Sequence, residues 1–309
     1  MRAVVTGAAG FIGSHLCDHL LAAGDTVIGI DALTDYYDPT RKQRNLADAR
    51  RSPAFSFHPV DVLGPQLDAL LDDVDAVYHL AGQPGVRPSW GQEFALYTSR
   101  NVLATQRLLE AVRDRPLRKF VHASSSSVYG DAHRFPTPET ACPRPVSPYG
   151  VTKLAADHLC ELYRTTYGVP TASLRLFSVY GPRQRPDMAF ARLFAAASGG
   201  PPFPLYGDGG QTRDFTYVQD VVSAMRDAAC SRFTGIANLG CGRPVSMRQA
   251  ITIVERIAGP VVLDRRPAPP GDARHTGADI TVAARGFGFR PRTRLENGLA
   301  AMVAELVRP

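Results

Sequence analysis

Residues 6–13 read Thr-Gly-Ala-Ala-Gly-Phe-Ile-Gly, and no other stretch of the chain restricts its fold as tightly. An apolar run, Arg2–Thr6, leads into them, and an amphipathic pattern, Phe11–Ala23, follows at once and stops at Gly24. Strand, glycine turn and helix in that order place free backbone N–H groups and the positive end of a helix dipole where a pyrophosphate can sit. Glycines at 7, 10 and 13 let the backbone turn tightly and approach such a group closely. A second apolar run, Thr26–Ile30, ends on Asp31. A carboxylate there takes both hydroxyls of a ribose and repels a 2′-phosphate, so NAD is expected over NADP. Arg41, Lys42 and Arg44 keep the alternative open, since any of them could reach a 2′-phosphate.

The first half of the chain continues in the same rhythm. Ala54–Val60, Asp75–Leu80, Lys119–Ala123 and Thr171–Phe177 read as short buried strands. Helical patterns at Gln66–Leu71, Glu93–Arg113 and Tyr149–Tyr167 alternate with them. This alternation means parallel βαβ units and an α/β, Rossmann-like doubly wound sheet. After Tyr180 the texture changes, with Gly and Pro clustered at 181–186, 199–204, 207–210 and 267–271. The expected division is a nucleotide-binding domain over 1–175, to which later segments return, and a smaller C-terminal substrate-binding lobe over 176–309.

Composition removes several classes of function. No apolar run is long enough to cross a membrane, and the N-terminus runs straight into a strand and glycine turn rather than a signal peptide, so the cytoplasm is expected. The five cysteines (17, 142, 160, 230, 241) are scattered without a CxxC pair, against both a disulfide framework and a zinc site. His15 and His19 have metal-ligand spacing but no third ligand, and no metal is expected. The net charge of +6 is spread along the chain without a basic tail or an aromatic stripe. That argues against nucleic acid and suits an anionic small substrate. Only three lysines occur (Lys42, Lys119, Lys153), while arginine supplies the other cations. Lysine alone of the two can share a proton near neutral pH, which singles these positions out.

One of the three stands in a telling place. Tyr149-Gly150-Val151-Thr152-Lys153 opens a helical pattern, so Tyr149 and Lys153 lie one turn apart on the same face. A nearby ammonium can hold a tyrosine's pKa down from about 10, making the phenolate available as a base. Asp61-Val62 after the third strand would flank an adenine, and Leu80-Ala81-Gly82 after the fourth would line the cofactor.

With GxxGxxG, SSSSVYG, SPYGVTK, VYGPRQRPDM and YGDGGQTRDFTYVQD in place, the chain resembles, over nearly its whole length, the extended short-chain dehydrogenases/reductases of the NAD-dependent epimerase/dehydratase family. Within it the likeness is greatest to the UDP-glucuronate 4-epimerases. The resemblance implies Ser125, Tyr149 and Lys153 as catalytic residues, Ser125 lying four residues before Tyr129. It implies a cofactor set of Gly7, Ala9, Gly10, Phe11, Ile12, Asp31, Asp61, Val62, Leu80, Ala81, Gly82, Asn101, Ser124, Tyr149, Lys153 and Phe177. Asn101 matches the structural, water-holding asparagine of the wider superfamily.

For the sugar, the resemblance implies Arg87, Ser125, Ser126, Ser127, Tyr149, Ser178, Arg185, Tyr206, Arg213 and Asp272. Ser126-Ser127 stand where the dehydratases carry Asp-Glu and the decarboxylases Ser-Glu. Ser178 stands where glucose epimerases carry Asn and glucuronate epimerases Thr. Asp35-Tyr36-Tyr37-Asp38 follows the second strand as in the glucuronate subfamily. Arg185 matches the arginine that meets the sugar carboxylate, and a guanidinium takes a carboxylate through two parallel N–H bonds. The bland reading makes Arg183 and Arg185 solvent-facing loop cations. Tyr206 would lie against the uracil, Arg213 would bind the pyrophosphate and Asp272 a ribose. Pro269 replaces an arginine that glucose epimerases often carry, leaving Arg266 or Arg274 for that contact.

The implied activity is interconversion of UDP-glucuronate and UDP-galacturonate through a 4-keto intermediate, by a homodimer. UDP-glucose/UDP-galactose 4-epimerase, a nucleotide-sugar 4-ketoreductase and a noncatalytic NAD-binding regulator remain as alternatives.

Overall fold

The structure, a computed structural model, describes residues 1–268 and 271–306. Its centre is a sheet of seven parallel strands. Six come from the first half: β1 (Arg2–Thr6), β2 (Thr26–Ile30), β3 (Phe55–His58), β4 (Ala76–His79), β5 (Lys119–Ser125) and β6 (Thr171–Leu176). The seventh, Gly235–Leu239, returns from the second half to pair with β6. The order across the sheet is Gly235–Leu239, β6, β5, β4, β1, β2, β3. The chain therefore winds outward in both directions from the β1–β4 junction. That junction is the topological switch point, where strand ends leave a crevice for a ligand.

The strands form because they can be buried on both faces. β4, β5 and β6 are buried throughout and β1 and β2 at all but their first residue. On one face, α1 (Phe11–Ala22) and the later helix Val218–Cys230 cover Val5, Val27 and Val121. On the other face, Leu108, Leu109 and Cys160 meet Val4, Val77 and Phe120. Those residues lie on α4 (Ala104–Val112) and α5 (Pro148–Tyr167). Two shorter helices, α2 (Pro39–Asn45) and α3 (Phe94–Tyr97), complete the first half.

Several expected boundaries match closely, among them β1, β2 and α5. The helix expected over 93–113 differs. It is a 3-10 turn, then α3, then a π-helical stretch at Thr98–Leu103, then α4. The stretch expected as a helix at 66–71 is a 3-10 turn over Asp68–Leu71.

A second core is built around Tyr180, Phe190, Phe194, Phe203, Phe215, Val254 and Leu299. Helices Ala189–Ala197, Met247–Ala258 and Leu295–Leu306 surround it. Three small strand pairs border it: Ser178–Tyr180 with Phe215–Tyr217, Phe203–Tyr206 with Leu263–Arg266, and Thr212–Arg213 with Val245–Ser246.

Candidate active site

The turn after β1 is as tight as its glycines suggested. The Gly7 and Ala8 N–H groups both donate to the Ile30 carbonyl, and Gly7 has a φ of +71°. A Cβ on Gly7 would lie 2.8 Å from the Ala81 nitrogen, and one on Gly13 would lie 2.0 Å from the Gly7 oxygen. The turn thus presses against the end of β4 with no room for side chains. Gly10 caps α1 without a side-chain acceptor, so the first helical N–H groups stay free for an anion. Asp31 is fixed by its own backbone, accepting from the Ala9 N–H at 3.1 Å and the Leu33 N–H at 2.8 Å.

Beside the turn opens a cleft of about 420 Å³. Gly7, Gly10, Phe11, Ile12, Asp31, Asp61, Val62, Leu80, Ala81, Gly82, Ser124, Phe177 and Lys153 line it, as do Ser125, Ser126, Ser127, Tyr149, Ser178 and Arg185. Two of the proposed cofactor residues do not. Ala9 is fully buried, its N–H given to Asp31 and its carbonyl accepting from Asn45, so neither group faces a ligand. Asn101 lies behind the wall, in the π-helical stretch. Its Oδ1 accepts from the Gln83 N–H at 2.7 Å, and its Nδ2 donates to the Gln83 carbonyl and to Thr152 Oγ1. It ties the loop after β4 to α5 and so acts by positioning.

The lining also includes Thr34, Tyr36, Tyr37, Gln83, Gly85, Arg100 and Met188, to which sequence reasoning gave no role in the site, and Lys42, which it weighed only as a contact for a 2′-phosphate. Tyr36 and Tyr37 lie in a segment noted only for its resemblance. Arg100 forms an ion pair with Asp61 that no spacing rule foretells. Lys42 is engaged: its Nζ donates to the Thr34 carbonyl and hydroxyl at 2.7 and 3.1 Å. The cleft suits a dinucleotide on two grounds of its own: the glycine cradle that a Cβ would fill, and the Ser124 hydroxyl, buried on the wall without a hydrogen-bond partner.

At the junction of β5 and α5 the three reactive side chains meet. Ser147 caps α5, its Oγ accepting from the Gly150 N–H at 3.1 Å, and Pro148 supplies a ready-made first-turn φ. This start fixes where Tyr149 emerges, and the Tyr97 ring packs edge-on against it at 6.3 Å. Burial pushes the Tyr149 phenol above its usual pKa, while the Ser125 hydroxyl and the Arg185 guanidinium pull it back. Lys153 is buried and donates to the Ala123 carbonyl at 2.9 Å. Burial lowers its pKa to about 8, against the opposing charge of Asp157. Lys153 Nζ is directed at the end of β5, and the groups that lower the Tyr149 pKa here are the Ser125 hydroxyl and the Arg185 guanidinium.

Arg87, Tyr206, Arg213 and Asp272 gather separately from the cleft lining. Arg87 donates to Asp272 Oδ2 at 2.6 Å and lies 4.0 Å over the Tyr206 ring. Arg213 is half-buried, donates to the Thr212 and Arg274 carbonyls, and makes no ion pair among the described residues. Burial lowers its pKa, Asp272 works against that, and Arg87 adds to it. Arg213 thus stands near the Arg87–Asp272 pair without a carboxylate of its own, a surplus of positive charge fit for an anion. Pro269 lies outside the described residues.

The two arginines of residues 181–188 are not solvent-facing cations. Arg183 is tied to Asp18, Asp48 and Glu305, and has a φ of +58°. His15 Nδ1 accepts from Gln219 Nε2, and its Nε2–H donates to the Pro182 carbonyl at 2.9 Å. Both ties anchor the segment that carries Arg185, whose side chain reaches the cleft. Among the described residues no group of three or more His, Cys, Asp or Glu could hold a metal ion.

A doubly wound sheet with a glycine-lined nucleotide cleft and a Ser-Tyr-Lys set defines a class of dinucleotide-dependent enzymes. The model of the NAD dependent epimerase/dehydratase family matches residues 3–238, and the chain belongs to that family. A relative in Bacillus subtilis, an uncharacterised UDP-glucose epimerase, is 42% identical over 99% of this chain and 98% of its own. The UDP-glucuronate 4-epimerase of Thermodesulfobacterium geofontis is 35% identical over 97% of this chain and 94% of its own. The Bacillus cereus UDP-glucuronic acid 4-epimerase, solved with UDP-glucuronic acid and NAD, superposes with a TM-score of 0.95. It is 41% identical, with 99% of each chain covered.

Proposed function

We propose that the protein is an NAD-dependent UDP-glucuronate 4-epimerase, interconverting UDP-glucuronate and UDP-galacturonate through a 4-keto sugar. The observation that carries this is the arrangement of Tyr149, Ser125, Ser178 and Arg185 around one cleft. A base and a carboxylate receptor thus line the same cleft. When bound, NAD accepts the hydrogen at sugar carbon 4 with its electron pair and returns it. The glycine turn, Asp31, Leu80-Ala81-Gly82, Ser124 and Phe177 would hold it.

The protein's own part is proton transfer and restraint. Tyr149 Oη, as phenolate, takes the proton of the sugar's 4-hydroxyl, and the Ser125 hydroxyl steadies the charge on both oxygens. Lys153, held as an ammonium below about pH 8, supplies positive charge beside the transfer. Arg213 and Arg87 hold the diphosphate and Tyr206 the base, so the sugar can turn over without leaving. Arg185 and Ser178 grip the carboxylate. A 4-keto acid loses carbon dioxide readily, and a fixed, hydrogen-bonded carboxylate disfavours that loss.

Residues 1–175, with the returning helix Val218–Cys230 and strand Gly235–Leu239, are assigned to the cofactor. Residues 176–309 are assigned mainly to the nucleotide sugar. Large apolar side chains stay exposed on two neighbouring helical segments, Leu96 and Leu103 on one and Val151 and Leu162 on the other. Val151 and Leu162 stand three turns apart on one face of α5, beside the exposed Leu96 and Leu103, which supports a homodimer paired through these helices. The five cysteines, all unpaired, suit a reducing cytoplasm.

The neutral sugar is the second reading, favoured by one observation: Arg185 is already paired, with Asp187. Incubating the purified protein with UDP-glucuronate, and separately with UDP-glucose, decides between them. Proton NMR of the product from the first alone supports the proposal. Conversion of UDP-glucose alone overturns the carboxylate role.

A further inference from the structure

Arg185 does not meet the cleft as a bare cation. Its Nε and Nη2 donate at 3.0 Å to the two carboxylate oxygens of Asp187, two residues on. This side-on pair engages two of the five guanidinium N–H groups. The others find no acceptor among the described residues, while Arg185 itself lines the cleft. Tyr36 closes the arrangement: its ring lies 5.9 Å from Arg185 Cζ, and its hydroxyl donates to Asp187 Oδ2 at 3.5 Å. Asp187 stands outside the cleft lining, partly open to solvent, with no other cation as partner among the described residues.

We propose that Asp187 sets how strongly the site prefers an acidic over a neutral sugar, by neutralising much of the Arg185 charge while leaving its unshared N–H groups for the ligand. The inference rests on the reading that Arg185 meets the sugar carboxylate. The unshared N–H groups can donate to a carboxylate or to a hydroxyl alike. What separates the two ligands is charge, and the net charge of the Arg185–Asp187 pair is near zero. Such a pair still binds the acid, since charge-assisted bonds are the stronger ones, but its selectivity is held down. Removing the negative charge strengthens attraction for a carboxylate and changes little for a hydroxyl.

The test uses NAD-loaded protein with Tyr149→Phe, so that no turnover occurs and any response of the tyrosine is absent. Calorimetry then gives the dissociation constants of UDP-glucuronate and UDP-glucose in that background, with and without Asp187→Asn. The asparagine keeps one oxygen for an Arg185 N–H and replaces the other with an NH2 donor, so the charge is lost and one more guanidinium N–H is freed for the ligand. The preference for the acid is expected to rise about tenfold, the size of a single charge-assisted bond gained. Arg185→Met serves as the control for the underlying reading and should bring the preference close to one. If Arg185→Met leaves the preference intact, the carboxylate reading fails and takes the inference with it. If Arg185→Met abolishes the preference but Asp187→Asn leaves it unchanged or lowers it, the reading stands and the inference alone is overturned.

Discussion

Burial and charge decide what the reactive side chains can do. Tyr149 works as a phenolate, so kcat/KM rises with pH through its pKa. Burial sets that pKa high, and Ser125 and Arg185 lower it. Ser125→Ala removes one of the two, so the rising limb of the profile should move to higher pH, with kcat down about 10²-fold or more at neutral pH. A limb that stays in place contradicts the role given to Ser125. Lys153 acts in the other direction: with its pKa lowered to about 8, the ammonium is lost as pH rises past that value, which offsets the gain in phenolate, so the rise should level off there. Lys153→Met should remove this levelling along with most of the activity.

All three lysines of this arginine-rich chain prove to be buried, and the scarcity of the residue pointed to them. Their tasks differ in ways composition does not carry. Lys42 braces the loop after β2 and lies over the Tyr37 ring, Lys119 donates to the Phe233 carbonyl at 2.5 Å, and only Lys153 stands one helical turn from Tyr149. The motif spacing, not the count, separates them.

Among the elements, the glycine turn and α5 carry the site. Gly13→Ala would drive a methyl into the Gly7 carbonyl, 2.0 Å from the ideal Cβ position. We expect the purified variant to hold little NAD, read from the nucleotide released on denaturation. Normal NAD content would contradict the cradle described. Ser147→Ala removes the cap that fixes the start of α5 and should cost about 1 kcal/mol, measured as a lowered urea midpoint. Unchanged stability would show that the cap is dispensable.

The sequence announced strand β1, the turn, α1 and α5, because each has its own punctuation: glycines, an N-cap serine and proline, apolar runs of the right length. It hid the π-helical stretch at Thr98–Leu103. Asn101, inside that stretch, bonds to Gln83 and Thr152, partners distant in sequence. Pairings such as Arg100 with Asp61 and Arg185 with Asp187 were hidden for the same reason: they depend on how loops fold over the cleft.

At the scale of the whole molecule, two further features depend on segments far apart in the chain. The strand Gly235–Leu239 completes the sheet beside β6, although it follows about sixty residues of a different texture. The exposed apolar side chains on the helices at 94–103 and 148–167 should be covered in solution. On the pairing proposed above, light scattering should give a dimer for the wild type and a monomer for Leu103→Glu combined with Leu162→Glu. A wild-type monomer would contradict the assignment.

The central claim is a reaction that takes hydrogen from sugar carbon 4 and returns it to the same carbon on the opposite face. The most direct measurement follows UDP-glucuronate deuterated at carbon 4 through the enzyme as purified. The account predicts UDP-galacturonate with its deuterium still at carbon 4 and no net reduction of NAD. Deuterium lost to solvent, or reduced NAD accumulating with product, would contradict it.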